Sequence, residues 1–193
     1  MNLLLASSSP YRQQQLSQLG IPFEQASPDI DETPLSGETI DVYVQRLAEE
    51  KAKALQSQWA DYWIIGSDQS CSLDGEIVGK PGNFETAFEQ LKRCSGKQIR
   101  FHTGVALLHP DGIQSCVEHF DVQFRKLSDE EITSYLRKEE PYDCAGSFKV
   151  EGLGIHLFEH LDGRDINSLI GLPLIALLDL MRSAGLSPLE LTQ

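Results

Sequence analysis

Four basic side chains lie where a purely structural role explains them poorly: Arg12, Lys51, Lys80 and Lys149. Arg12 falls in the first turn of a predicted helix, where the helix macrodipole disfavours a positive side chain by roughly 0.3 to 1 kcal/mol. A bound anion would reverse that penalty. The serines at 7–9 precede the same helix, whose free backbone amides could cradle a phosphate. On this feature alone, however, serine capping is favoured over phosphate binding.

The three lysines are placed in different ways. Lys51 lies on the apolar stripe of a predicted helix, where it either extends to solvent along its aliphatic stem or has a buried role. Lys80 precedes Pro81-Gly82, and Lys149 follows a segment that contains Gly146. Backbone breaks of this kind are common in loops that bind ligands. Together with Arg12, these lysines could bind a polyanion locally.

Carboxylates accompany these cations along the chain. Asp68 follows an apolar run and is predicted to end a buried strand, the edge at which ligands enter α/β sheets. Asp31 and Glu32 lie in a polar loop, and Glu151 follows Lys149 by two residues, so strand alternation would place both side chains on one face. Carboxylates among cations suit a site for Mg²⁺ and a polyphosphate. The alternative is ordinary surface charge, which is the favoured interpretation for Asp31 taken singly.

The pattern of apolar residues predicts the elements that must position these groups. Both crossover and hairpin connections occur among them, which indicates an α/β fold with a mixed sheet. Capping signals start the first helix at Ser9-Pro10 and a later one at Ser128, where Glu131 completes a capping box. Asp74-Gly75 predicts a hairpin turn. Strands are predicted at 3–6, 22–26, 62–66, 99–107, 116–124 and 153–157, and helices at 9–20, 39–58, 84–96, 128–141 and 173–184.

Composition limits the function classes. The chain has 193 residues with a formal charge of −13, which favours one continuous domain over residues 1–193 and argues against general binding to nucleic acid or to an anionic membrane. No apolar run approaches the ~20 residues of a membrane-spanning helix, and the start does not resemble a secretory signal. The four cysteines are widely spaced, which favours reduced thiols in a cytoplasmic protein.

Several of these segments, taken in order, resemble the Maf-like nucleotide pyrophosphatases along nearly the whole chain. The similarity rests on seven motifs that contain every charge singled out above: Leu5-Ala6-Ser7-Ser8-Ser9-Pro10-Tyr11-Arg12, Asp31-Glu32, Glu50-Lys51-Ala52, Gly66-Ser67-Asp68-Gln69, Gly79-Lys80-Pro81, residues 144–152, and residues 167–173. The resemblance implies an elongated, two-lobed α/β fold of the inosine triphosphatase type, with a mixed twisted sheet flanked by helices and a central cleft.

The resemblance also implies a reaction and residue roles. Members cleave nucleoside triphosphates between the α and β phosphates with a divalent metal, Mg²⁺ or Mn²⁺. Asp68 matches the proton acceptor and, with Glu32, an acidic position near the metal. The residues that match phosphate-binding positions are Ser7, Arg12, Lys51, Lys80 and Lys149.

Substrate choice differs between branches of the family. Gln69, Glu151 and the aromatic Tyr11 resemble the branch that acts on 7-methyl-GTP, which implies the removal of modified nucleotides from the pool. In that branch Trp is common where Tyr11 stands. An aromatic face attracts the cationic methylated base, and a carboxylate can accept its N1 and N2 hydrogens. The alternatives are a dTTP and UTP pyrophosphatase or a non-catalytic nucleotide-binding regulator of cell division. A homodimer is expected from the resemblance only.

Overall fold

A seven-stranded mixed sheet with helices packed on it organises the chain, as the sequence predicts. The computed structural model describes residues 2–73 and 75–192. The strands are β1 (Asn2–Ala6), β2 (Glu24–Ala26), β3 (Tyr62–Leu73), β4 (Glu76–Val78), β5 (Gln98–His109), β6 (Gly112–Phe124) and β7 (Phe158–Gly163). The helices are α1 (Pro10–Ser17), α2 (Ile40–Ala54), α3 (Phe84–Cys94), α4 (Asp129–Glu139), α5 (Ile166–Ile170) and α6 (Leu174–Ser183). Short 3₁₀ helices span Ala145–Ser147, Leu153–Leu157 and Pro188–Leu191.

The sheet has the order β2-β1-β3-β5-β6-β7, and β4 pairs with β3 outside this path. β1 runs parallel to both β2 and β3, whereas β4 runs antiparallel to β3 and β7 antiparallel to β6. The predicted Asp74-Gly75 turn falls between β3 and β4, but Asp74 lies outside the described residues. No helix in the described part of the chain has the length and apolarity to cross a bilayer.

The chain divides into two units. The first comprises residues up to 68, 103–118 and from 165 onward, and the second comprises 69–102 and 119–164. In the first unit, alternate β1 residues serve two cores. Leu3 and Leu5 pack with residues of α1 and α6, and Leu4 and Ala6 pack with Ala52 of α2. In the second unit, Phe148 packs edge-on against the aromatic rings of Phe101, Phe124 and Phe158.

Three details of the predicted elements are wrong. The third strand does not end near Gly66 but continues to Leu73, because β4 pairs with it beyond the end of β1. Residues 150–152 form a turn rather than a strand, because the backbone amides of Gly152 and Gly154 both donate to the Lys149 carbonyl. Lys149 and Glu151 therefore do not alternate along a strand. Residues 153–157 form a 3₁₀ helix, and the strand begins only at Phe158.

Two glycines let helix α2 lie directly on the sheet. A Cβ atom built on Gly66 of β3 would lie 1.9 Å from the Ala48 carbonyl oxygen, and one on Gly104 of β5 would lie 2.3 Å from the Val44 carbonyl oxygen. Because these carbonyls belong to the α2 backbone, neither clash could be relieved by rotating a side chain. The glycines thus fix the distance at which α2 presents its later residues to β3.

Replacing Gly66 by alanine tests this close approach. We expect Gly66→Ala to lower the free energy of unfolding by about 1–3 kcal/mol or more, because α2 must move away from β3. Gly79→Ala is the matched control, since Gly79 has open space around its Cβ position and an ordinary backbone conformation. Urea denaturation of both variants measures the difference. Equal stability of the two variants would contradict the proposed packing constraint.

Candidate functional site

The centre of the first unit is an ion cluster around Lys51. The Lys51 ammonium lies 2.6 Å from Oδ1 of Asp68 and 2.8 Å from Oε1 of Glu32. The side chains of Lys51 and Asp68 are only 8% and 11% exposed, whereas that of Glu32 is 56% exposed. A buried ammonium is costly unless its charge is matched, and here two carboxylates match it. Lys51 therefore has the buried role, rather than extending to solvent.

Asp68 lies within β3 rather than at its end. The parallel pairing of β3 with β1 stops at Ala6 opposite Gly66, two residues before Asp68. The polar side chains that follow are buried but have partners: Ser67 donates to the carbonyl oxygens of Gly104 and Gly171, and Asp68 accepts from Lys51. Hydropathy marks the strand end too early because polar side chains with hydrogen-bond partners can also be buried.

Arg12 extends from the first turn of α1 and is held by the loop after α5. Its Nε donates to the Gly171 carbonyl oxygen at 2.7 Å, and Ser67 donates to the same oxygen at 2.9 Å. Burial lowers the pKa of Arg12 below its usual value, while the charges of Asp68 and Glu32 act in the opposite direction. The carboxylates of the cluster thus supply the negative charge that the Arg12 position requires.

The serine loop before α1 caps that helix. Ser9 is the N-cap of α1, and its hydroxyl accepts from the Arg12 amide at 3.3 Å. Ser7 is buried, and its hydroxyl accepts from the Ser9 amide at 3.1 Å. The capping interpretation is therefore confirmed for Ser9. Tyr11 is half-buried on the same first turn.

Other residues predicted for the site belong to the second unit. Lys80 is exposed between β4 and α3. Lys149 is half-buried, and its ammonium donates to the Glu139 carbonyl oxygen at 3.3 Å. Glu151 is exposed in the turn after Lys149, and Gln69 is half-buried on β3. The first unit brings together Arg12, Lys51, Asp68 and Glu32. The approach of Ser7 and of the second unit's residues to this cluster stays a prediction.

Sequence reasoning missed the groups that hold Arg12 in place. Side-chain patterns cannot predict the role of the Gly171 carbonyl, because it belongs to the main chain, although residues 167–173 form one of the family motifs. Asp165 is buried and caps α5 by accepting from the Asn167 amide at 2.9 Å, and it also accepts from the Ile175 amide at 2.9 Å. Gln15 donates to the Asn167 carbonyl oxygen at 2.8 Å. The sequence signal for the start of α5 is Asp165, because Asp is a common N-cap residue.

Comparison with known proteins agrees with the motifs. Residues 2–184 match the family described as Maf-like protein. The chain belongs to the Maf-like protein family. Among solved structures, the chain is similar to the one described as the structure of the Staphylococcus aureus Ham1 protein, with 16% sequence identity and a TM-score of 0.48. That similarity covers 65% of this chain and 73% of the other. Membership of the Maf-like family suggests a nucleoside triphosphate pyrophosphatase.

The acidic pair of this Maf-like protein fits a divalent cation. Oxygen atoms of Asp68 and Glu32 both lie within 2.8 Å of one positively charged atom, the Lys51 nitrogen, so the two carboxylates already share a cation. Carboxylate oxygens are the ligands that Mg²⁺ and Mn²⁺ prefer. Glu32 is exposed on a loop, so its carboxylate can change partner with little repacking. These two residues could therefore supply carboxylate oxygens to a metal in the first unit.

Removing the Lys51 ammonium tests the cluster. We expect Lys51→Met to lower the free energy of unfolding at pH 7 by about 2–3 kcal/mol, because the buried Asp68 carboxylate loses its partner.

Lys53→Met is the matched control for this substitution. Lys53 is exposed on the same helix and pairs with Glu49 at i,i+4, so the expected loss is below about 0.5 kcal/mol. Thermal and urea unfolding at neutral pH measure both variants. A Lys51→Met protein as stable as Lys53→Met would refute the buried pair.

Proposed function

We propose that this Maf-like protein hydrolyses nucleoside triphosphates to the monophosphate and diphosphate. The observation that carries the proposal is the cluster in which Lys51 contacts both Asp68 and Glu32, whose charges also act on Arg12. A buried carboxylate beside two cations combines a base with groups that bind phosphate. Membership of the Maf-like family supports this reaction class.

In the proposed mechanism Asp68 is the general base. Its carboxylate accepts a proton from a water molecule whose oxygen forms a bond to the α-phosphorus. The bond from that phosphorus to the bridging oxygen breaks, and diphosphate leaves with the electron pair. No covalent enzyme intermediate is needed, and the work of the protein is positioning and charge stabilisation.

The cations have complementary roles in this proposal. Lys51 holds the Asp68 carboxylate at 2.6 Å and in that way orients the base. Arg12 is held at its Nε by Gly171, and its terminal guanidinium nitrogens are proposed to bind phosphate oxygens, as is the Ser7 hydroxyl. Lys80 and Lys149 of the second unit are proposed to bind the phosphates that leave.

Glu32 and Asp68 are proposed to hold the divalent metal. When bound, Mg²⁺ or Mn²⁺ would neutralise phosphate charge and polarise the phosphoryl oxygens. Lys51 would then share its carboxylate partners with a second cation, and the negative phosphates of the substrate would offer Lys51 new acceptors. A nucleotide and the metal are therefore expected to bind more tightly together than either does alone.

Within this reaction class we propose 7-methyl-GTP as the preferred substrate. Tyr11 on α1 offers an aromatic face to the cationic base. Glu151, exposed in the turn after Lys149, offers two acceptor oxygens to the N1 and N2 hydrogens of guanine. Gln69, directly after the proposed base, replaces the Thr typical of the dTTP and UTP branch.

Replacing the proposed base gives the first test. We expect Asp68→Asn to lower turnover by about 10²–10⁴-fold, because the amide cannot accept the proton, while nucleotide affinity stays within about tenfold. The matched control is Asp61→Asn, an exposed residue just before β3 that should keep wild-type turnover. Diphosphate release measures both. Wild-type turnover by the Asp68 variant would reject the assignment, and a cellular effect that persists in it would favour the regulator alternative.

A substrate panel gives the second test. Wild-type protein should hydrolyse 7-methyl-GTP with a higher kcat/KM than dTTP or UTP, and Glu151→Gln should reduce this preference by about tenfold, through loss of one acceptor to the base. Glu159→Gln, an exposed substitution on β7, is the control. Equal kcat/KM for 7-methyl-GTP and dTTP in the wild-type protein would replace this proposal with the dTTP and UTP alternative.

A further inference from the structure

The loop that carries Glu32 is exposed but firmly held. Residues 31–37 are all exposed and form neither helix nor strand between β2 and α2. Such a segment, with little buried apolar surface, normally moves among many conformations. Glu32 nevertheless lies within 2.8 Å of the Lys51 ammonium, so something other than a packed core must fix the loop.

Arg46 of α2 makes several of the contacts that fix this loop. Its Nε and Nη2 donate to the two carboxylate oxygens of Glu38 at 2.7 and 2.8 Å, and Nη2 also donates to the Thr33 carbonyl oxygen at 3.3 Å. Nη1 donates to Glu50 on the same helix at 3.1 Å. A single guanidinium therefore joins both ends of the loop segment that follows Glu32 to helix α2.

A neighbouring tyrosine completes this attachment. The Tyr43 hydroxyl donates to the backbone carbonyl oxygen of Glu32 itself at 2.9 Å, and the Arg46 guanidinium lies 5.7 Å from the centre of the Tyr43 ring. Tyr43 and Arg46 are three residues apart and so lie on one face of α2. The same helix also carries Lys51, the partner of the Glu32 carboxylate.

We propose that Arg46 is a positioning residue for Glu32, which it fixes beside Lys51 and Asp68 so that the two carboxylates bind a divalent cation together. The inference rests on the proposed function for its consequence in catalysis. The structural part of the proposal does not depend on that function. The Glu32 backbone is anchored to α2, so the helix that carries Lys51 also sets the distance between Lys51 and the Glu32 carboxylate.

The Arg46–Glu38 pair differs from an ordinary surface salt bridge. Its geometry is bidentate, and the Glu38 side chain is only 3% exposed and that of Arg46 19% exposed. Glu38 also accepts from the Leu35 amide at 3.0 Å, so its carboxylate holds the loop backbone at residue 35 as well. Two parallel hydrogen bonds to a carboxylate fix direction as well as distance, which a lone ammonium cannot do.

The pair stays ionised over a wide pH range. The hydrogen bonds from Arg46 lower the pKa of Glu38 from 4.5 to about 2. A depressed carboxyl pKa contributes stability that is complete above about pH 4.5 and is lost as the pH falls towards 2. Attachment of the loop should therefore be the same at pH 5 and pH 8, so any pH dependence of metal binding in that range arises elsewhere.

The test compares Arg46→Met, Arg46→Lys and Tyr43→Phe with wild type in two assays that need no nucleotide. Amide hydrogen exchange over residues 31–38 should be about tenfold faster in Arg46→Met, since Thr33, Leu35 and Glu38 lose their anchor. Mn²⁺ titration, followed by the electron paramagnetic resonance signal of the free ion, should show about tenfold weaker binding. Arg46→Lys and Tyr43→Phe should show smaller changes in the same direction.

Arg100→Met is the matched control. Arg100 makes a bidentate pair with Asp121 at 2.7 Å for both bonds, but it lies in the second unit with an exposed side chain. We expect exchange over 31–38 and Mn²⁺ affinity to stay at wild-type values in this variant. A change in Arg100→Met equal to that in Arg46→Met would show a general effect of losing an arginine and would overturn the proposal.

Three further outcomes would overturn the proposed role of Arg46: unchanged exchange over 31–38 in Arg46→Met, faster exchange with unchanged Mn²⁺ affinity, and no Mn²⁺ binding by the wild-type protein.

Kinetics separate a failure of the proposed role of Arg46 from a failure of the proposed function. If the function holds, Arg46→Met should need about tenfold more Mn²⁺ for half-maximal hydrolysis, with kcat at saturating Mn²⁺ within about threefold of wild type. If wild type hydrolyses no nucleoside triphosphate but the exchange and Mn²⁺ results stand, only the proposed function fails.

Discussion

A positive charge placed between two negative ones inside the protein organises the first unit. The Lys51 ammonium is nearly buried, and it tolerates that position because Asp68 and Glu32 both contact it. Removing either kind of partner would leave a charge with poor solvation, which costs far more than the pair contributes to stability when intact. The cluster therefore constrains what surrounds it. β3 must hold Asp68 in place, α2 must lie close to β3, and the loop before α2 must keep Glu32 near.

Backbone chemistry meets the first two demands. Gly66 and Gly104 have no Cβ, so the carbonyls of α2 lie where a side chain would otherwise be. The Gly171 carbonyl accepts from both Arg12 and Ser67, and in that way ties the arginine of α1 to the same strand that carries Asp68. Main-chain atoms thus position Arg12 and the helix that carries Lys51, and the placement of main-chain atoms varies less than that of long side chains.

The third demand is met by charge instead of packing. Arg46 and Glu38 join the exposed loop to α2 through an ion pair. The anchors act on Glu38 and on the backbones of Glu32 and Thr33, so the Glu32 carboxylate itself can exchange Lys51 for a metal without release of the loop. This division assigns a fixed position on β3 to Asp68, and to Glu32 an anchored backbone with a carboxylate that can change partner. Both are properties that a site for a nucleotide and a divalent cation would use.

Sequence alone determined the class of fold and the identity of the charged residues. The apolar run of β1 and the caps at Ser9 and Ser128 are local signals, and each appears in the structure where it was predicted. Arg12 and Lys51 could be singled out because a cation in a first helical turn or on an apolar stripe is unfavourable without a nearby anion. The length of β3 was misjudged because its buried polar residues resemble a loop until their partners are known.

Only the tertiary structure decided which groups hold the site together. The anchor of Arg12 is a carbonyl 159 residues away along the chain, and no side-chain pattern encodes such a contact. Arg46 gave no signal either, since an arginine among glutamates on a helix resembles any solvated face. A charged residue at a position predicted to be buried can be recognised from the sequence, because burial of an unpaired charge is unfavourable. The distances between such residues arise from contacts between segments that are remote in sequence, so only the tertiary structure gives them.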